Sequence, residues 1–426
     1  MSALAELCFD KGYRVLGSDK EESGTVKRLC RLGISVEIGE KGEGLDTAAL
    51  VVYTLAVPPS HPLLARARLL GIPTVPRPDF LGALAARYAR CACIAGMHGK
   101  SSTVGMCASI FSAAALDATV LSGAPLSREE GCYRKGGEGL LLLEACEYKG
   151  AFLSFPATHA AILNMEWEHT DYYKSEREVE AAFSRFAQKP TLACLVLPAV
   201  SPLRPKGAAL LTFGEGGDVY AAEKEEREGR FSFTLCYKEE ELGRVALQVL
   251  GEYQVENALA AAALALALGV PKERLAEGLS AYKGTPRHME KIGTVGGSPL
   301  YLDYAHHPTE LAATLAAARS LGEVSLVFQP HTYSRAAAFR EDFRRLFSAI
   351  PRCGVLPVYA ARESPERGID TKHLISGSGA TLLPDFESAA DFLAAGAGEG
   401  KILLLVGAGD VEKLLSFLTF AENGKK

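Results

Sequence analysis

The sequence predicts an α/β protein of three domains, each built on a mostly parallel sheet. Three observations carry this. A chain of 426 residues exceeds what one hydrophobic core usually serves. Short apolar runs alternate with amphipathic or alanine-rich segments along its length, the pattern of strands joined by crossover helices. Polar and glycine-rich clusters follow those runs directly, and open parallel sheets gather their chemistry at the carboxyl ends of strands.

The first domain, residues 1–88, opens in a helix, MSALAELCFDKGY, and continues through strand-like pieces at Tyr13–Asp19, Gly33–Gly39 and Ala48–Val57. These predict a Rossmann-like, doubly wound unit. Asp19, closing the first of these strands, stands where such units often meet a ribose. A unit of this kind begins with a strand and a glycine-rich turn, and none precedes the helix. The reading therefore expects that strand upstream of Met1 and takes this domain as incomplete at its front.

The central domain, residues 89–284, is predicted to be a parallel sheet of the P-loop ATPase kind. An apolar strand, Cys91–Ala95, runs into GMHGKSST and then into helical spacing. Glycines let backbone N–H groups approach an anion, and a helix N-terminus adds positive potential. Lys100 would reach the outer phosphates and the Ser101 hydroxyl would help hold Mg²⁺. Ile94 occupies the position of the first glycine in the strict pattern, so this is a variant loop with His98 inside it. LLLLEAC (140–146) and HAAILNM (159–165) read as buried parallel strands. Ala258–Leu268 reads as a helix, and EKEEREGR (223–230) as a solvated turn.

The third domain, residues 285–426, is predicted to be Rossmann-like again. Its apolar runs PLYLDYA, SLVFQP and ILLLVGAGD each end in polar or glycine residues.

Composition excludes several classes. The net charge of -5 argues against nonspecific nucleic-acid binding. No apolar run approaches membrane-spanning length, which argues against membrane insertion. The ten cysteines include one C-x-C and no C-x-x-C, and read as reduced thiols of a cytoplasmic protein.

The chemistry-bearing residues cluster. Glu144 ends a buried run, where a carboxylate is costly unless it meets a cation. NMEWEHTD follows the next strand with Glu166, Glu168, His169 and Asp171, and hard cations take such oxygen ligands. Five of the nine histidines (His98, His169, His306, His307, His331) lie at polar strand ends. Arg335 has the planar fork that binds both oxygens of a carboxylate, and Asp303 would accept hydrogen bonds from a ribose or an amine.

Taken in order, GMHGKSS, EACEY, NMEWEHTD, DYAHHPTE, FQPHTYSR, VYAARESP and VGAGDV resemble the Mur ligase family over nearly the whole chain. The DYAHHPTE and FQPH pair points to the member that adds L-alanine. The resemblance implies domains for a UDP-sugar, for ATP and for the incoming amino acid. Gly96, Met97, His98, Gly99, Lys100, Ser101 and Ser102 would hold ATP phosphates, and Ser101, Glu144 and His169 magnesium. Asn257, Arg287, Asp303 and His306 would lie near the nucleotide. Lys100, His169, His331 and Arg335 would be catalytic, the last two beside the amino-acid carboxylate. The implied reaction joins L-alanine to the carboxylate of UDP-N-acetylmuramate through an acyl phosphate, in peptidoglycan precursor synthesis, by a monomer or homodimer. Two readings stay open here: a recycling ligase that attaches a preformed peptide, and a noncatalytic nucleotide-binding protein. GEYQVEN stands for the family's G-x-H-N-x-x-N, with Tyr253 and Gln254 substituted and Asn257 kept. Arg287-His288 stands for an Arg-Arg pair, and Glu168 for an aspartate.

Overall fold

The structure, a computed structural model, describes residues 1–421 except 40, 128–130, 171, 362, 366 and 367. Asp171 and the arginine of VYAARESP therefore lie outside the described residues. Among those described, the middle of the chain forms one ten-stranded sheet.

At its heart the strands Cys194–Pro198, His159–Ile162, Cys91–Ala95, Leu141–Glu144 and Thr119–Leu121 lie side by side and parallel. All five residues of Cys91–Ala95 are buried, as the unbroken apolar run predicts for a strand covered on both faces. The pleat sends Ala92 and Ile94 into one hydrophobic cluster and Cys91, Cys93 and Ala95 into another. Register then does the work for the site. Ile94 pairs with Glu144 and Ala95 with Ile162, so the loops GMHGK, ACEYK and LNMEWEH leave the sheet at one common edge.

Helix Lys100–Ala113 packs on one face with Tyr253–Ala267 and Leu275–Ala281. The predicted helix at Ala258–Leu268 is the body of Tyr253–Ala267, buried on nearly every side, which small alanine side chains permit. Phe152, Phe183 and Phe186 cover the opposite face with the N-terminal helix Ser2–Asp10.

Two expectations change. The central sheet is mixed: Val219–Arg227, Arg230–Tyr237 and Glu240–Leu250 extend it as an antiparallel meander, and Tyr133–Arg134 closes the other end antiparallel. EKEEREGR is accordingly hairpin rather than turn, with Glu223–Arg227 in strand and Glu228–Gly229 turning. Those strand residues are all exposed and charged, so no apolar alternation marked them.

In the first domain the strands are Leu16–Asp19 with Ser35–Ile38, and Val51–Tyr53 with Thr74–Pro76, two separate two-stranded parallel sheets. The third sheet has six strands. In it Ser298–Asp303, Lys401–Gly407, Glu323–Gln329 and Arg352–Val355 run parallel, and Glu290–Val295 forms an antiparallel hairpin with the first. Asp303 pairs with Val406 and Gln329 with Gly407, so DYAHHPTE, FQPHTYSR and the GAGD loop also share an edge. No helix among the described residues is long and apolar enough to cross a membrane.

The P-loop helix is seated by close backbone approach. A Cβ at Gly278 would lie 2.4 Å from Ile110 Cα. Gly278→Ala should destabilise the protein by about 1–3 kcal/mol, read as a lower urea midpoint at unchanged slope.

Candidate active site

The central unit's loop edge is organised by one buried lysine. Lys100 opens its helix, and its ammonium folds back to donate to Gly96 O (2.5 Å) and Met97 O (3.0 Å). Its countercharge is Glu147, 1% exposed, with Oε2 3.1 Å from Lys100 Nζ. Burial alone would lower the Lys100 pKa, but Glu147, helped by Cys146 and Glu144, raises it above the ordinary value. Burial would likewise raise the Glu147 pKa; Lys100 and His169 lower it instead. Both groups are therefore held charged. His169 Nε2 lies 3.0 Å from the other Glu147 oxygen, and its backbone sits in the left-handed region at φ 51°, a costly conformation that clusters at functional sites.

Gly99 must be glycine. Its φ is 80°, and a Cβ there would lie 2.3 Å from Asn257 Oδ1. That brings Asn257 against the loop; its Nδ2 also donates to Gln254 Oε1 at 3.1 Å. Ser101 Oγ donates to Glu144 Oε2 (2.7 Å), which also accepts from Gly123 N–H (2.9 Å). Ser102 is buried and faces Tyr282.

His98 stands between the two large sheets. Its ring nitrogens lie 2.7 Å from Glu166 Oε2 and 2.9 Å from Glu310 Oε1. Burial opposes its imidazolium, yet those two carboxylates carry its pKa up to about 10. Asn164 fixes the loop here, accepting from His98 N–H (2.9 Å) and donating to His98 O (3.1 Å). Across the same gap Arg335 donates from Nε to Glu168 Oε1 (3.1 Å) and from Nη2 to the same oxygen. Burial works against the Glu168 charge, but Arg335 holds its carboxyl well below the usual range. Arg335 Nη1 reaches His331 O at 2.9 Å, and the His331 ring stacks on Tyr359. His306 joins both pairs, 3.3 Å from Glu310 Oε2 and 3.7 Å from Glu168 Oε1. Burial lowers its pKa.

Two residues read as nucleotide ligands have other partners. Asp303 accepts from Met289 N–H (2.7 Å), Ala305 N–H (2.8 Å) and Thr314 Oγ1 (3.0 Å), leaving about one of a carboxylate's roughly four acceptor positions. Arg287 donates to Gly407 O (2.6 Å) and Gly409 O (3.2 Å) and lies over the Tyr304 ring. It braces the GAGD loop. The others (Gly96, Met97, His98, Gly99, Lys100, Ser101, Glu144, His169, Asn257, His306, His331 and Arg335) fall on or across these facing loop edges.

Sequence reasoning passed over Glu147, Asn164 and the role of Glu310. Glu147 had a signal: it is a second carboxylate closing the same apolar run as Glu144, and it too needed a cation. Asn164 had none beyond its place at a strand end.

The residues fit a bound nucleotide with a divalent cation. The Lys100 ammonium sits at the cradle, and Ser101 with Glu144 forms an all-oxygen donor pair suited to a hard cation. Fold and site define a P-loop protein of three α/β units, in which the loop edges of the central and third units meet beside that cradle. Family profiles match throughout: "Mur ligase family, catalytic domain" at residues 1–89, "Mur ligase middle domain" at 94–265, and "Mur ligase, glutamate ligase domain" at 287–409. The UDP-N-acetylmuramate–L-alanine ligase of Clostridium novyi is 37% identical over 429 residues, covering 97% of this chain and 93% of that one. A solved UDP-N-acetylmuramate-alanine ligase from Thermotoga maritima superposes with a TM-score of 0.83 at 24% identity, covering 98% of this chain and 95% of that one. A murein peptide ligase from Psychrobacter arcticus gives 0.76 at 21% identity, with the same 98% and 95% coverage. The chain belongs to the Mur ligase family.

Removing Glu147 strands a buried cation. Glu147→Ala should cost about 3–5 kcal/mol of stability, measured by equilibrium denaturation.

Proposed function

We propose that the protein is an ATP-dependent ligase that joins L-alanine to the carboxylate of UDP-N-acetylmuramate in peptidoglycan precursor synthesis. The observation that carries this is the meeting of two loop edges, a P-loop lysine on one side and Arg335 with His331 on the other. Residues 1–88 receive the UDP-sugar, 89–284 the ATP and 285–426 the amino acid. Full-length identity of 37% to a relative of that name supports the assignment.

The chemistry asks for alignment and charge neutralisation more than for a protein nucleophile. The muramyl carboxylate attacks the γ-phosphate and ADP leaves; the alanine amine then attacks the acyl phosphate carbonyl and inorganic phosphate leaves. Lys100 places positive charge at the phosphates, and backbone N–H groups at the start of helix Lys100–Ala113 add to it. Asn257, against Gly99, sets the shape of the cradle. Magnesium, held by Ser101, Glu144 and His169, would screen the phosphate oxygens. The Arg335 guanidinium, its plane fixed by Glu168 and by His331 O, would put positive charge beside the amino-acid carboxylate. Closure of the third unit on the central one keeps water from the acyl phosphate. The buried free thiols support a cytoplasmic setting.

Phosphate release should require ATP, UDP-N-acetylmuramate and L-alanine together. Release without the sugar nucleotide, or faster turnover with a tripeptide than with L-alanine, would overturn the assignment. Lys100→Ala should abolish that release while keeping the far-ultraviolet dichroism of the wild type, since His169 still faces Glu147.

A further inference from the structure

Three side chains beside the P-loop lysine, outside the set assigned to magnesium, converge from separate elements. His98 comes from the P-loop, Glu166 from the loop after strand His159–Ile162, and His307 from the N-cap of helix Pro308–Arg319. One donor atom from each lies within 4.8 Å of the other two. Glu166 Oε2 is 2.7 Å from His98 Nε2 and 3.8 Å from His307 Nδ1, values that bracket the roughly 3.4 Å between ligands of a tetrahedral zinc.

The surroundings are built as metal sites are built. His98 Nδ1 faces the Glu310 carboxylate at 2.9 Å, the outer partner that fixes a ligating imidazole's tautomer and leaves its other nitrogen free to bind metal. Glu166 Oε1 accepts from Thr309 Oγ1 at 2.5 Å, which orients the carboxylate. Asn164 locks the His98 backbone from both sides. His307 is 1% exposed and packed between the His98 ring (5.1 Å) and Phe339 (4.5 Å). Its Nδ1, the nitrogen that faces Glu166, accepts from Thr309 N–H at a long 3.4 Å, a contact the metal would replace, and its Nε2 is buried with no hydrogen-bond partner.

We propose that His98, Glu166 and His307 form a site for a transition metal of the zinc class, distinct from the magnesium residues, that ties the P-loop to the third unit. Two imidazoles and one carboxylate suit Zn²⁺ or Co²⁺ and disfavour Mg²⁺, which takes oxygen ligands. On binding, the proton shared between His98 Nε2 and Glu166 leaves to solvent and the metal takes its place, with water as fourth ligand. A metal there holds the His98 ring toward the third unit and away from the phosphate cradle. The opposing account is a proton alone in that place, His98 bridging two carboxylates as an imidazolium.

The experiment separates them. The full chain, stripped with chelator and without nucleotide, is titrated with Co²⁺ and followed by visible absorption. One equivalent should give the bands of four-coordinate cobalt without sulfur charge transfer, zinc should displace it, and excess Mg²⁺ should not. X-ray absorption of the wild-type zinc complex should count two imidazoles. His307→Asn keeps a good helix N-cap and should lose most of the affinity, while Glu310→Gln should lose about 10–100-fold. Absence of binding, sulfur ligation, displacement by Mg²⁺, a count other than two imidazoles, or equal affinity in wild type and His307→Asn would each overturn the proposal.

Discussion

A buried ammonium must have a countercharge, and the Lys100–Glu147 pair meets that demand at the point where the loop edge of the central sheet begins. Left unpaired, either group would be driven neutral by burial. Paired, each holds the other charged, and the P-loop carbonyls of Gly96 and Met97 are drawn onto the lysine. His169 reaches the free side of the same carboxylate. Three loops that follow three different strands are thus bound to one another by a single buried charge, in the conformation that faces the third unit.

The register of the parallel strands is what makes that pairing geometrically available. Cys91–Ala95, Leu141–Glu144 and His159–Ile162 end level with one another, so their following residues emerge as neighbours although they lie dozens of positions apart in sequence. The third sheet repeats the arrangement with Asp303, Gln329 and Gly407. The two edges then meet through carboxylates: Glu168 on Arg335 and His306, and Glu310 on His98. Exposed ion pairs of this kind contribute little. The Glu168–Arg335 pair is buried and the Glu310–His98 pair half-buried, and breaking a buried pair leaves an uncompensated charge, so charge contributes to the relative placement of the two units.

Much of this was legible in the residue order. The strands Cys91–Ala95, Leu141–Glu144 and His159–Ile162 announced themselves as unbroken apolar runs, because a strand covered on both faces has no polar side to show. The P-loop was legible through its glycines and the Lys100–Ser101 pair. The antiparallel meander was not: its charged arm, Glu223–Arg227, lies fully exposed, and an exposed strand carries no burial pattern to read. Asp303 was read as a ligand by residue type and Arg287 through the resemblance; Asp303 accepts from two backbone N–H groups of its own unit, and Arg287 Nη2 donates to the carbonyls of Gly407 and Gly409.

The sequence by itself determined the class of the fold, the strand–loop–helix unit for phosphate, and which clusters carry chemistry, since these follow from local periodicity and from glycine and proline placement. Only the tertiary structure decided the partners. That Glu147 rather than Glu144 takes the lysine, that Glu168 takes Arg335, and that His98 stands among Glu166, Glu310 and His307 depend on strand register and on how two sheets approach. Pairwise Coulomb energy is a matter of ångströms between side chains, and separation along the chain says nothing of that distance.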